Sequence, residues 1–350
     1  MSTIREIARR AGVSVATVSK VLNGKNSASE QTARLIMDIA KELQYTPNIH
    51  AKNLKSGSSK TLGIITEDFT VFNTPDIVDG IDDYCSKHGY SYILGNLRLD
   101  KLFGSDRYDS PECTPLFNKM VSVMLSRQVD GIIYVGCHSH NIMPPLEHDK
   151  IPFVCAYCFS NDEKIPSVIY DDRAAAYDVT KLLINKGHVR IAMITGNTSS
   201  NHTHNRVLGY QEALFDGSIP YDPHLVAYGD WGRDCGHALC GQLLTRGATA
   251  IFCQNDIMAM GVLDYCNENG IAVGKELSLV GFDNREISTV CRPQLSTVAL
   301  PLFEIGMSSA EILINHLEEK DRNFSEHVTL NCNIIERESI ADISNRMPLL

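Results

Sequence analysis

Residues 3–24 read TIREIARRAGVSVATVSKVLNG, and the spacing of apolar side chains there admits little except two short helices set about a tight turn. Ile4, Ile7 and Ala8 share one face at helical spacing, and Gly12 supplies a backbone conformation that other residues resist. Ser14 stands where an N-cap opens the next helix, in which Val18, Val21 and Leu22 turn inward. Val15, Ala16, Thr17, Ser19 and Lys20 are left outward, the first of them at the N-terminal end. A third helix is predicted from a second cap, Ser29, through Thr32, Leu35, Ile36, Ile39, Ala40 and Leu43. It closes a three-helix core.

Charge gives this module a direction. The whole chain carries a formal -10, yet residues 1–60 hold ten Lys plus Arg against four Asp plus Glu, a net of +6, so the other 290 residues carry 22 minus 38, or -16. A small basic head on an acidic body is the electrostatic pattern of a nucleic-acid-binding module. Small outward residues at a helix N-terminus permit close approach in a major groove. Val15 and Ala16 suit thymine methyls, Thr17 and Ser19 can bond phosphate or base edges, and Lys20 can reach guanine or backbone. Thr3, Ser14 and Asn23 complete the candidate DNA-contacting set on the head. A packing unit that touches no DNA would not need the basic excess, both caps, the glycine turn and the small polar face together.

Residues 3–57 resemble the head of the lactose/galactose repressor family, whose pattern IREIARRAGVSVATVSKVLNG follows almost residue by residue. Tyr45-Thr46-Pro47-Asn48 followed by Ala51-Lys52-Asn53-Leu54-Lys55-Ser56-Gly57 is similar to the family's hinge, a short helix formed in the DNA complex. The resemblance implies that Asn48 caps this helix, that Gly57 ends it, that Leu54 wedges into the minor groove at the operator centre and that Ala51 packs beside it. A segment this short is marginal as an isolated helix, so a plain Ser/Gly/Lys linker is the alternative. The expected domains are a helix-turn-helix head (1–46), a hinge (47–59) and an effector-binding and dimerisation body (60–342).

The body alternates β-rich runs with helical stretches, the signature of a doubly wound α/β structure. Strands are predicted at TLGIIT, SYILG, DGIIYVG, PFVCAY, SVIYD, RIAMITG, TAIFCQ, LSLVGF and LSTVAL, with helices beginning near Pro75, Thr114, Asp172, Asn205, Asp256 and Pro301. Crossings near Asn161 and Ile287, with a return after Glu318, would make two lobes: 60–160 with 292–320, and 162–288 with 324–342. The fold class is thus α/β, a small all-α head plus a two-lobed body that resembles the periplasmic sugar-binding fold of the family.

Open parallel sheets bind ligands beyond the carboxyl ends of their strands. That rule selects Arg206 after RIAMITG, Asn255 and Asp256 after TAIFCQ, and Asp283 and Asn284 after LSLVGF. A guanidinium fork, amides and carboxylates can each grip vicinal hydroxyls, which suits a sugar or nucleoside-like ligand. The resemblance implies effector contacts for Arg206, Asn255 and Asp283, with Asp256 capping its helix; the alternative for Arg206 and Asp283 is a mutual salt bridge. Trp231, the only tryptophan, matches a stacking position in relatives or else packs in the core. Tyr157 and Phe159 could cover the other side of the cleft, though lone aromatics are more often core. The segment Glu67-Asp68-Phe69-Thr70-Val71-Phe72-Asn73-Thr74 departs from the Asn-Pro-Phe-Phe common in relatives, and the polar stretch from Leu97 to Asn118 is longer than usual. Asp68 is the candidate there, and the specific sugar cannot be carried over.

Other classes find less support. No apolar run approaches the roughly 18 residues of a membrane span, and the N-terminus has no signal-peptide pattern, so a cytoplasmic location with no membrane partner is expected. The eleven cysteines are then reduced thiols, and Cys155-Ala-Tyr-Cys158 lacks a second pair at zinc-ribbon distance. Cys137-His138-Ser139-His140 and His202-Thr203-His204 lack an acid or cysteine completing a ligand spacing. No metal and no cofactor is expected. No nucleophile elbow, Walker loop, dinucleotide-binding glycine pattern or zinc-protease motif points to an enzyme. The expected partners are near-palindromic operator DNA, a second copy of the chain and a small effector, most naturally a sugar, with a nucleoside or a protein co-regulator as alternatives.

Overall fold

The computed structural model describes residues 3–22, 28–45, 58–104, 111–142, 150–318 and 327–344. It falls into two compact units, Met1–Ser59 and Lys60–Leu350.

In the first unit, helices α1 (Ile4–Ala11), α2 (Val15–Leu22) and α3 (Glu30–Glu42) pack around Ile7, Ala8, Val18, Ile36, Ile39 and Ala40. Thr3 and Ser29 cap α1 and α3 with their hydroxyls, and the Ser14 hydroxyl accepts the Thr17 amide at 3.1 Å. Gly12 ends α1 in the left-handed region, φ 65°, which is what lets α2 start three residues later. Leu35, expected inward, is 46% exposed. The buried stripe of α3 is Ile36, Ile39 and Ala40, and Leu35 lies one helical step round from it.

The second unit has two parallel sheets. The first orders its strands β11-β5-β4-β3-β1-β2, from β1 (Thr61–Thr66), β2 (Ser91–Asn96), β3 (Gly131–Val135), β4 (Phe153–Ala156), β5 (Ser167–Tyr170) and β11 (His327–Leu330). Helices α4 (Thr74–His88), α5 (Leu99–Phe103), α6 (Cys113–Ser126) and α12 (Leu302–Glu318) accompany it. α4 and α12 touch so closely that a Cβ on Gly80 would sit 2.0 Å from the Phe303 carbonyl oxygen, and one on Gly306 2.0 Å from that of Ile77. The second sheet runs β7-β6-β8-β9, from β6 (Ile191–Thr195), β7 (Val226–Tyr228), β8 (Ala250–Cys253) and β9 (Ser278–Val280). Its helices are α7 (Asp172–Asn185), α8 (Asn201–Asp216), α9 (Arg233–Thr245), α10 (Asp256–Glu268) and the short α11 (Ile287–Val290). β10 (Thr297–Ala299) and β12 (Asn333–Ile335) pair antiparallel. One buried cluster runs from Leu62 and Ile64 through Tyr170 to Phe252 and Phe282, so the lobes share a core where the chain passes between them.

All nine predicted strands are present, but the lobe boundaries differ from expectation. β5 pairs with β4 through Cys155↔Ser167, so the chain leaves the first lobe after Tyr170 rather than near Asn161. Bridges Val280↔Ser296 and Asp283↔Ala299 hold the following segment beside β9, which moves the second crossing from Ile287 to beyond β10. β11 joins the first sheet beside β5, so the last return follows Leu330 rather than Glu318. A short apolar run identifies a strand and carries no mark of which sheet it joins. β7, β11, β12, α5, α9 and α11 are not among the predicted elements, and α8 begins at Asn201, a turn before Asn205.

Candidate functional site

On the head, the N-terminal end of α2 presents Val15, 42% exposed, with Ala16 and Lys20 also exposed and Thr17 and Ser19 half-buried. Thr3 and Ser14 are exposed caps. The Thr3 hydroxyl takes the Glu6 amide at 3.4 Å, and that of Ser14 also lies 2.9 Å from the Thr17 hydroxyl. Asn23, Ala51 and Leu54 lie outside the described residues.

In the body, segments that follow strands of both sheets converge. Arg206 on α8 is buried, with its Nε 2.6 Å from Asp172 Oδ1, its Nη2 2.8 Å from the Tyr170 hydroxyl and its Nη1 donating to the Gln254 carbonyl. Its guanidinium carbon lies 3.6 Å from the Phe282 ring centre and 5.9 Å from that of Trp231. Burial opposes the arginine charge, but Tyr170 and Asp172 outweigh it and hold the group protonated. Asp172 is likewise kept ionised, since His202 and Arg206 overcome the burial that would raise its pKa. Asp283 differs. Burial pushes its carboxyl well above the usual range against the pull of Arg206. Its backbone has φ 103°, left-handed territory that a non-glycine residue occupies at a cost.

Asn255 caps α10: its Oδ1 accepts the Met258 amide at 2.7 Å and its Nδ2 donates to the Trp231 carbonyl at 3.0 Å. Asp256, expected to be that cap, instead accepts the Arg285 amide at 2.7 Å and the Thr297 hydroxyl at 2.6 Å. Its pKa rises to about 6 because burial outweighs those bonds. Trp231 lies over Gly196 at the end of β6, where a Cβ would come within 2.0 Å of its ring.

From the other lobe, Asp68 is buried just after β1. Its Oδ1 accepts the Thr70 amide and hydroxyl at 2.9 and 2.7 Å, while Oδ2 has no hydrogen-bond partner. Two more buried oxygens share that state, Oδ1 of Asn73 and Oγ1 of Thr203. Glu67 beside Asp68 is fully buried. It accepts the Tyr134 hydroxyl and the Cys137 amide, each at 2.8 Å, and pairs with His140 Nε2 at 3.0 Å. These partners overcome burial and lower Glu67 to about 2, and its charge raises His140 to about 9 although burial acts the other way.

A model of the lacI family of bacterial regulatory proteins matches residues 3–48, and one of a periplasmic binding protein-like domain matches residues 180–340. Catabolite control protein A of Priestia megaterium is 33% identical over 322 residues, covering 91% of this chain and 93% of that protein. The chain belongs to the lacI family of bacterial regulatory proteins. It is a DNA-binding transcriptional repressor and not an enzyme. The fold also matches a lac repressor dimer solved with operator and the anti-inducer ONPF, at TM-score 0.76 and 24% identity, over 97% of this chain and 99% of that one. A complex of the transcriptional regulator CelR with cellobiose matches at TM-score 0.65 and 25% identity, over 97% and 100%.

In this lacI-family repressor, Arg206, Asp283 and Trp231 gather beside Phe282, Tyr170 and Tyr157. The salt bridge considered between Arg206 and Asp283 does not form, since Asp172 takes the guanidinium. Tyr157 and Phe159 divide: Tyr157 lies 5.5 Å, ring to ring, from Tyr170, whereas the Phe159 backbone bonds to Ile142 and His140. Of the two histidine clusters, His140 pairs with Glu67, and His202, in the first turn of α8 rather than on a loop, pairs with Asp172. No described group of three or more His, Cys, Asp or Glu could hold a metal, no described helix could cross a membrane, and none of the eleven cysteines, all among the described residues, is in a disulfide. Sequence reasoning missed Asp172 and Tyr170 as partners of Arg206. The signal available was their place at and just past the carboxyl end of β5, the same rule that selected Arg206.

Proposed function

We propose that the repressor binds a near-palindromic operator as a homodimer, and that a polyhydroxylated small molecule, a sugar, sets its operator affinity by binding between the lobes. The observation that carries the effector class is the hydrogen-bonding balance around the cleft. Arg206 spends three of its five N–H groups inside the protein, whereas Asp68 Oδ2, Asn73 Oδ1 and Thr203 Oγ1 are buried without partners and Asp283 makes no side-chain bond. Carboxylate and amide oxygens left unmatched call for a ligand rich in donors. Hydroxyls supply donors and the apolar sugar face suits Trp231 and Phe282. The cellobiose complex of a relative agrees with this class.

On the DNA side, the exposed start of α2 supports major-groove readout by Val15, Ala16, Thr17 and Lys20, with Thr3, Ser14, Ser19 and Asn23 at the backbone. Ala51 and Leu54 would act in the minor groove at the centre of the site. Sugar binding would then shift the balance of lobe arrangements and release the hinge. Titration of the purified repressor, bound to its selected operator, with neutral mono- and disaccharides, nucleosides and sugar phosphates tests the effector class. A neutral sugar should release the DNA; release only by a nucleoside or a phosphate would replace the reading.

A further inference from the structure

The lobes are tied together at one place that involves a histidine. Two hydrogen bonds join the loop after β3 to the first turn of α8: the Ser139 amide donates to His202 Nε2 at 3.0 Å, and Asn201 Nδ2 donates to the Ser139 carbonyl at 3.2 Å. A backbone amide can only donate, so Nε2 must carry the lone pair and Nδ1 the ring proton. Nδ1 lies 2.6 Å from Asp172 Oδ2, whose other oxygen holds Arg206. Tyr170, Asp172, His202 and Arg206 are all buried, and Asp172 stands just past the point where the chain crosses between lobes.

We propose that His202 is a positioning residue: its Nε2 latches the Ser139 amide across the cleft while its Nδ1–H fixes the Asp172 carboxylate that orients Arg206. The relay Ser139–His202–Asp172–Arg206 makes lobe closure and the geometry of the arginine one event. The part concerning Arg206 rests on reading the cleft as the effector site; the latch does not. The latch needs a neutral imidazole, because a proton on Nε2 sets N–H against N–H. The groups facing the ring are Asp172 and Arg206 from α7 and α8, Tyr170 at the end of β5, Tyr157 after β4 and His138 from the loop after β3.

Amide hydrogen exchange of the Ser139 segment in the full-length protein tests this without any effector. His202→Phe removes the acceptor and should speed exchange at Ser139 by about tenfold or more while β3 and β6 stay protected. His202→Gln keeps an acceptor and should restore most of the protection. Unchanged exchange in the Phe variant, or exchange in the Gln variant as fast as in the Phe variant, would overturn the latch. Because no sugar enters the experiment, this failure is separate from a failure of the sugar reading.

Discussion

Arg206 and Asp283 show how differently two residues chosen by one rule can stand in a site. Arg206 is built into the protein, and replacing it with alanine would leave Asp172 buried with His202 alone, a loss of about 3–5 kcal/mol typical of a broken buried pair. Asp283 holds nothing together through its side chain. Asp283→Asn should therefore leave the melting temperature within a few degrees of wild type and weaken effector release of operator by about tenfold or more; a normal response in that variant would remove Asp283 from the site. The pair Glu67–His140 gives a prediction in pH. His140 is raised to about 9, so its contribution is complete below the unfolded histidine value and is lost as pH climbs through 9. Glu67 is lowered to about 2, so its contribution is lost only as pH falls toward that value. Thermal melts of wild type and His140→Gln should differ by up to roughly 3 kcal/mol near pH 6 and converge above about pH 9. A constant difference across that range would show that the pair does not titrate as a unit with folding.

At the scale of elements, the head was legible because its signals are local: a capping serine, a left-handed glycine and an apolar stripe act within a few residues of each other. Lys20→Ala on α2 should weaken operator binding and reduce the salt slope by about one, measured as affinity against salt concentration. The strands were legible for the same local reason, but their sheet was not, since β5 and β11 are assigned only by partners distant in sequence. The same limit hid the arginine's carboxylate: Asp172 lies 34 residues from Arg206, after a different strand. Close helix packing was also invisible in the sequence. Gly306→Val would drive a side chain into the Ile77 carbonyl and should cost about 1–3 kcal/mol or more as α4 and α12 separate, seen as a lower denaturation midpoint with unchanged m-value.

For the molecule as a whole, a basic head, an acidic two-lobed body and an acceptor-rich cleft fit the proposed control of a repressor's DNA affinity by a small ligand. Trp231, the only tryptophan, sits beside Arg206, so ligand binding should change its emission, and a panel of sugars can be screened by fluorescence before any operator is known. The most direct measurement is selection of DNA fragments by the purified full-length protein, followed by challenge of the enriched fragment with the sugar panel. The account predicts a near-palindromic site that a neutral sugar releases. An enriched site indifferent to every sugar but released by a phosphorylated ligand or protein would contradict the effector assignment, and a best site without two-fold symmetry would contradict binding as a homodimer.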